Sequence, residues 1–326
     1  MEELLKIENL KVNFRTFEGV KNVLNLESLS IYKGESFGLV GESGAGKSTL
    51  AYTLIKLLPI PPAFVESGKI LFEGKNLLEK REAEIKRIRG KKISMIFQDP
   101  MSSLNPVFTV GQQITRVLQH SHNLSKREAR RKALELMDLV KLPDPEQILS
   151  KYPHELSGGQ RQRIIIALAF SCGAEFLIAD EPTRNLDVTI QAGILKLIAD
   201  LIRETKVTVL FIANSLELVS LICNRVGILH RGEIVESGMV EEIVQDPRHP
   251  YTLTLLRAIP RKKEEKIDLT QIQLRAEEKL SALGCPYASR CLNKNGVCLE
   301  KKPSMVQVSS THFVSCHLAQ SRRNAS

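Results

Sequence analysis

The octet Gly41-Glu42-Ser43-Gly44-Ala45-Gly46-Lys47-Ser48 fits the G-x-x-x-x-G-K-[ST] pattern in full, and its flanks narrow what the chain can fold into. Before it, Ser36–Val40 is a compact apolar run of strand character. After it, Ser48–Leu58 has helical character and stops at Pro59, with Pro61 and Pro62 beyond. Strand, glycine loop and helix in that order is the setting in which backbone N–H groups wrap phosphates, helped by the positive end of the helix. The glycines are needed because a Cβ would keep the backbone from a close approach. Lys47 is placed to reach the outer phosphates and the Ser48 hydroxyl to ligate Mg²⁺, with Gly41, Ser43, Gly44, Ala45, Gly46 and Thr49 completing the cradle.

Two further strings belong with this loop. Phe176-Leu177-Ile178-Ala179-Asp180-Glu181 is an apolar strand ending in two acids. Asp180 suits a carboxylate near Mg²⁺, and Glu181 is placed to polarise an attacking water as general base. Gln98 follows the strand Ile93–Phe97; its neutral amide can touch the metal and swing, so it can report whether a γ-phosphate is present. Leu156-Ser157-Gly158-Gly159-Gln160, whose Ser157 lies 110 residues beyond Lys47, points to a nucleotide held by a partner.

The remaining pattern is an alternation. Residues 4–40 read as short strands such as Leu4–Ile7 and Lys11–Arg15, with a turn near Glu18-Gly19. Residues Val110–Cys172 are helix-rich, then Phe176–Ala179 and Val207–Ala213 return to buried-strand character around the helical Val188–Thr205. This predicts an α/β fold, a mostly parallel sheet with a helical insertion. At 326 residues the chain suits one large domain and an appendage. The charge run Arg261–Lys266 reads as a linker and sets a boundary close to Pro260, dividing residues 1–259, with a helical subdomain at about 100–172, from a Cys-rich segment at 260–326.

The net charge of +9 raises a nucleic-acid reading. The basic clusters, Lys86–Lys92, Lys126–Lys132, Arg261–Lys263 and Arg322-Arg323, are dispersed, mixed with Glu and without interleaved aromatics. They read as solvated helix faces or as contacts with anionic lipid head groups, not as a nucleic-acid surface. No apolar run approaches the ~18 residues needed to span a bilayer, and Met1-Glu2-Glu3 starts no signal region. The chain is expected in the cytosol or held at a membrane by other subunits.

Four of the six cysteines form the series Cys285-x5-Cys291-x6-Cys298-x17-Cys316. A reducing cytosol disfavours disulfides, and the tight C-x2–4-C pairs of zinc sites are absent. The spacing is compatible with a four-thiolate [4Fe–4S] cluster, with zinc or uncommitted thiols as the alternatives. Cys172 and Cys223 sit in apolar surroundings as core thiols.

Taken together, these strings resemble the ATPase subunit of an ABC transporter, and more narrowly the oligopeptide/dipeptide importer family. Gln98-Asp99-Pro100-Met101-Ser102-Ser103-Leu104-Asn105-Pro106, Asp187-Val188-Thr189-Ile190-Gln191, His249-Pro250-Tyr251-Thr252 and the four-cysteine tail carry the narrower match. The resemblance implies an ABC ATPase domain, with an antiparallel β subdomain and a helical subdomain, followed by a small Cys-rich domain. It implies that two such subunits enclose two ATP molecules head to tail, Ser157, Gly158, Gly159 and Gln160 meeting the nucleotide on the partner's loop. Asp187 then lies between the two sites, and Phe14, with Phe17 close by, corresponds to the aromatic that stacks on adenine. Implied partners are a second ATPase subunit, two transmembrane permease subunits and an extracytoplasmic substrate-binding protein, with this chain peripheral at the cytoplasmic membrane face. The tail's [4Fe–4S] cluster agrees with some members of that family.

The chain departs from the family at two places. Ala213-Asn214-Ser215 stands where Thr-His-Asp is usual, and Thr183-Arg184-Asn185-Leu186 where small residues are usual. Asn214 donates hydrogen bonds but carries no positive charge and transfers no proton. The expectation is a site that binds ATP and turns it over slowly, in one half of an asymmetric heterodimer. The rival readings are a soluble ABC ATPase of DNA repair or translation, which usually has two nucleotide domains or a coiled-coil insertion, and a regulatory module sensing ATP and redox state.

Overall fold

The structure, a computed structural model, describes residues 2–99, 103–257 and 283–319. The boundary near Pro260, the linker Arg261–Lys266 and the basic pair Arg322-Arg323 lie outside these residues, as do Pro100–Ser102 of the string after Gln98.

Residues 4–40 hold longer strands than their patterning predicts. β1 (Glu3–Thr16) and β2 (Gly19–Tyr32) are 14 residues each and form one antiparallel hairpin about the expected turn. Register shifts between Glu3 and Leu5 and between Val12 and Asn13 explain the difference: a bulge absorbs an interruption of the alternation without ending the strand. After β3 (Ser36–Val40), β4 (Ala63–Phe72) pairs with the other edge of β1, and β5 (Lys75–Asn76) closes the order β2-β1-β4-β5.

The second sheet carries the site. β3, β6 (Ile93–Ile96), β7 (Phe176–Asp180), β8 (Thr208–Ala213) and β9 (Arg225–His230) run parallel. β10 (Glu233–Met239), β11 (Val306–Gln307) and β12 (Phe313–Val314) extend it antiparallel, giving β11-β12-β10-β9-β3-β8-β7-β6. Every residue of β3, β7 and β8 is buried, as strands covered on both faces require. Their alternate side chains separate two cores. Phe176, Ile178, Leu210 and Ile212 join the β1–β2 hairpin, while Leu177, Ala179, Val209, Phe211 and Ala213 join the helical region.

α1 (Lys47–Leu54) ends four residues before the expected Leu58, because Lys56 turns to φ +50° and Leu57 N–H donates back to the Tyr52 carbonyl. α2 (Glu82–Ile88) precedes β6. The helical insertion comprises α3 (Val110–His122), α4 (Lys126–Leu139), α5 (Pro145–Ser150) and α6 (Gly158–Ser171). Thr109, Ser125 and Ser157 start three of these helices with capping boxes closed by Gln112, Glu128 and Gln160. α7 (Val188–Thr205) has the predicted bounds, followed by α8 (Leu216–Ser220), α9 (Val240–Gln245), α10 (Pro250–Arg257) and α11 (Gly296–Glu300).

The described tail residues do not make a core of their own. Cys285, Tyr287, Ala288 and Cys298 are buried in the core of the helical region, and β12 pairs with β10. The fully buried Glu236 anchors this junction: it accepts from the His312 ring at 2.7 Å and from the N–H groups of Arg248 and His249.

Candidate functional site

Ligands of open α/β sheets bind beyond the carboxyl ends of the parallel strands, and the predicted residues gather there. The glycine loop follows β3, Gln98 follows β6, Asp180 and Glu181 end and follow β7, Asn214 follows β8, and His230 ends β9. A cleft of ≈ 860 Å³ is lined by Ser43–Thr49, Gln98 and Glu181. Phe14 also lines it, whereas Phe17 stands fully exposed at the hairpin turn and does not. Its charged lining is cationic in balance: Lys21, Lys47, Arg184, Arg231 and Arg290 outnumber Glu42 and Glu181, which favours a polyanion.

The loop's shape depends on its glycines. Gly44 and Gly46 take φ of +81° and +108°. A Cβ on Gly46 would lie 2.9 Å from the Val23 carbonyl oxygen, and one on Gly41 would lie 2.2 Å from that of Leu229. The Lys47 ammonium is nearly enclosed, donating to the Gly41 and Glu42 carbonyls at 2.8 and 3.0 Å and to Asn214 Oδ1 at 2.7 Å, with Glu181 at 3.6 Å. Burial lowers its pKa, and the carboxylates of Glu181 and Asp180 oppose that shift.

The two neighbouring acids differ. Glu181 is engaged: Gln98 Nε2 donates to it at 2.9 Å and Arg184 Nη1 at 3.1 Å. Its backbone is left-handed, φ +44°, a strain on the order of 1 kcal/mol that functional turns commonly hold. Asp180 is fully buried, and neither carboxylate oxygen completes a hydrogen bond among the described residues. Burial pushes its pKa up to about 6, tempered by the nearby Ser48 hydroxyl. A buried carboxylate without a donor, beside a hydroxyl at the start of α1, is a donor set that fits Mg²⁺.

Ser157, Gly158, Gly159 and Gln160 do not reach this cleft, and neither does Asp187. They start α6 and α7. Ser157 accepts from Gln160 N–H and Asp187 is exposed at the head of its helix. The two segments meet each other, with Gly159 beside Ile190 and Gly158 beside Leu186. The buried Gln162 ties α6 to the acids by donating to the Pro182 carbonyl at 2.6 Å.

The cysteine tail buries most of its thiols. Cys285, Cys298 and Cys316 are buried and Cys291 half-buried. Burial pushes Cys285 up to about 11, and the thiols of Cys298, Cys316 and Cys291 push the same way, so the four share one neighbourhood. Backbone N–H groups of Tyr287, Asn293 and Leu318 oppose the shift at Cys285, Cys291 and Cys316. Yet no three Cys, His, Asp or Glu side chains among the described residues come together as a group able to hold a metal ion. The expected [4Fe–4S] ligand set of Cys285, Cys291, Cys298 and Cys316 finds no support in this grouping. The tail is pinned instead by its buried side chains and by strand pairing.

Several lining residues carry no signal in the local sequence. Arg290 forms a bidentate pair with Glu42 at 2.7 and 3.0 Å across 248 residues of chain. His230 is held neutral near pH 7, because burial lowers it to about 4. Arg184 had stood out only as a departure from a family pattern.

Comparison with known proteins agrees with this geometry. The ABC transporter family matches residues 24–184, and the oligopeptide/dipeptide transporter C-terminal region matches residues 235–298. The oligopeptide transport ATP-binding protein OppD of Bacillus subtilis is 42% identical over 323 residues, 95% of this chain and 87% of that one. The dipeptide transport ATP-binding protein DppD of the same organism is 43% identical, covering 99% and 96%. Among solved structures, the dimeric post-hydrolysis state of the ATP-binding cassette MJ0796 with ADP and Pi superposes with a TM-score of 0.65 at 26% identity, over 73% of this chain and 99% of that one. No helix among the described residues is long and apolar enough to cross a membrane. With two relatives above 40% identity over nearly its whole length, this chain belongs to the ATP-binding subunits of the oligopeptide/dipeptide ABC importer family.

Proposed function

We propose that this chain binds and hydrolyses ATP with Mg²⁺ at the cleft and thereby powers import of di- or oligopeptides through separate membrane subunits. The meeting of Lys47, Gln98, Glu181 and Asn214 around one loop, with a buried Asp180 lacking a donor, carries the reading. The names of the relatives and the matched C-terminal region support the peptide cargo.

Backbone N–H groups of Ser43–Ser48, with Thr49 beside them, hold the phosphates, and Lys47 turns its ammonium to the outer ones. Phe14 stacks on the base. Ser48, Gln98 and Asp180 would hold Mg²⁺, which when bound would neutralise phosphate charge and orient the transferred group. Glu181 takes the proton of the attacking water, and Gln98, already bonded to it, aligns that water. Ser157, Gly158, Gly159 and Gln160 face the nucleotide of a second, non-identical ATPase subunit, and Asp187 lies between the two sites. Closure is passed to two permease subunits at the cytoplasmic face of the membrane, fed by an extracytoplasmic substrate-binding protein.

Asn214 makes the pair asymmetric. It accepts from Lys47 and cannot supply the cationic, proton-bearing contact of a histidine. Losing such a contact costs on the order of 3–4 kcal/mol of transition-state stabilisation. The test is Glu181→Gln in this chain alone, assayed in the assembled heterodimer. Hydrolysis should persist at the second site, made of the partner's loop and this chain's Ser157–Gln160. Loss of all hydrolysis defeats the asymmetry.

For the tail, the [4Fe–4S] reading rests on the spacing of the four cysteines. About four irons per chain with broad absorbance near ~400 nm in anaerobic protein would support it. Iron-free protein with intact thiols returns the tail to a purely structural role.

A further inference from the structure

We propose that Arg290, in the cysteine-bearing tail, is a positioning residue of the nucleotide site: it neutralises Glu42 so that the phosphate loop can accept a polyanion. The inference rests on the ATP reading above. Glu42 is the second residue of the loop, and both it and Arg290 line the cleft with Ser43–Thr49. An unpaired carboxylate there repels a triphosphate, and solvent weakens that repulsion without removing it, since the Glu42 side chain is 40% exposed. Arg290 answers it with a planar two-point contact, Nη1 to Oε2 at 2.7 Å and Nη2 to Oε1 at 3.0 Å. The guanidinium hydrogen bonds hold the Glu42 pKa below the usual carboxylate range, so the pair stays ionised.

Arg290 is itself held in place. Its guanidinium lies 5.9 Å from the centre of the Tyr287 ring. Tyr287 packs on Tyr251 at 5.4 Å and its hydroxyl meets the Thr254 hydroxyl at 3.0 Å. The fully buried Tyr251 in turn accepts from the Glu42 backbone N–H at 2.8 Å. Glu42 is thus gripped by side chain and backbone from one aromatic cluster shared by α10 and the tail. The tail reaches the nucleotide through this residue without touching the reacting atoms.

The test measures the affinity of the full chain for a fluorescent ATP analogue with Mg²⁺, beside a thermal melt of each variant. Arg290→Gln should weaken binding about tenfold, and Arg290→Lys, which keeps charge but loses the fork, should fall between it and wild type. The double variant Glu42→Gln/Arg290→Gln should recover affinity to within about twofold of wild type, because no carboxylate is left to neutralise. If Arg290→Gln fails to melt cooperatively, Arg290→Lys and the double variant still decide. Wild-type affinity in Arg290→Gln overturns the proposal, and so does a double variant as weak as that single one. A wild-type chain with no affinity for ATP overturns the nucleotide reading as well.

Discussion

The glycines of the phosphate loop and those at the head of α6 answer to different partners. In the loop, a Cβ on Gly41 or Gly46 would strike backbone of this same chain, at Leu229 and Val23, and Gly46 also needs φ +108°. At α6, a Cβ on Gly158 would meet nothing closer than Leu186 Cδ2 at 3.7 Å, and one on Gly159 would press on Ile190 Cγ2 at 3.1 Å, a side chain free to shift. The chain's own fold explains the first pair of glycines and leaves Gly158 unexplained. Gly158, like Gly193 and Gly296, has room for a Cβ within its own chain, so the proposed partner site is tested at Gly158 by adding one.

The largest effect should come from Lys47→Ala. Lys47 is nearly enclosed among the Gly41 and Glu42 carbonyls, Asn214 and Glu181. Removing it deletes the cation proposed for the outer phosphates, and ATP affinity of the isolated chain should fall by about a hundredfold or more in a binding titration. Unchanged affinity would break the assignment of the cleft and with it the contrast between the two motifs.

Next is Gly46→Ala. A left-handed φ and two close contacts, Leu24 Cδ2 at 2.8 Å and Val23 O at 2.9 Å, oppose any side chain. The melting temperature should fall by several degrees, about 2 kcal/mol or more of stability, before nucleotide is added. A variant as stable as wild type would show that the loop's glycine need is not set within the chain.

Asp180 gives an effect of comparable size with a definite pH sign. Its folded pKa of about 6 lies above its ordinary value of 3.8. Ionised Asp180 therefore destabilises the fold, by on the order of 3 kcal/mol at full effect. That cost is complete above about pH 6, shrinks as pH falls through 6, and vanishes below 3.8. Mg²⁺ needs the ionised form, so its stabilisation in a thermal melt should be present at pH 7.5 and fade below about pH 6. Asp180→Asn should raise the melting temperature of the free chain at pH 7.5 and abolish the Mg²⁺ gain. A Mg²⁺ gain that survives in Asp180→Asn places the metal elsewhere.

What was legible in the sequence followed from local rules, and what was missed depended on distance along the chain. The octet at 41–48 announces its own geometry because strand, loop and helix are contiguous. Asp180 and Glu181 were readable because a buried strand ends at them. The α7 bounds, Val188–Thr205, came from periodicity alone. By contrast, nothing near Glu42 announces Arg290, and two-residue strands such as β12 have no periodicity to detect. The bulges of β1 hid a 14-residue strand behind a broken alternation. The tail's cysteine spacing was legible as a pattern, yet spacing does not dictate whether thiols converge, and among the described residues no three Cys, His, Asp or Glu side chains form a group able to hold a metal.

Gly158→Ala should have the smallest effect on the free chain and is the sharpest test of the comparison. Gly158 is the first residue of α6, and its added methyl would make ordinary contact with Leu186. Alanine is the better helix former, so stability should hold or rise, by about 1 kcal/mol at most. ATP affinity of the isolated chain should not change, because the cleft is not lined by Gly158. In the proposed ATPase pair, however, a methyl at this position would face the nucleotide on the partner's loop, and turnover should drop about tenfold or more. Such a variant folds better and works worse, and only in company. If turnover of the pair is unaffected, Gly158 is small for no reason that a partner supplies, and the contrast between the two motifs collapses to local packing.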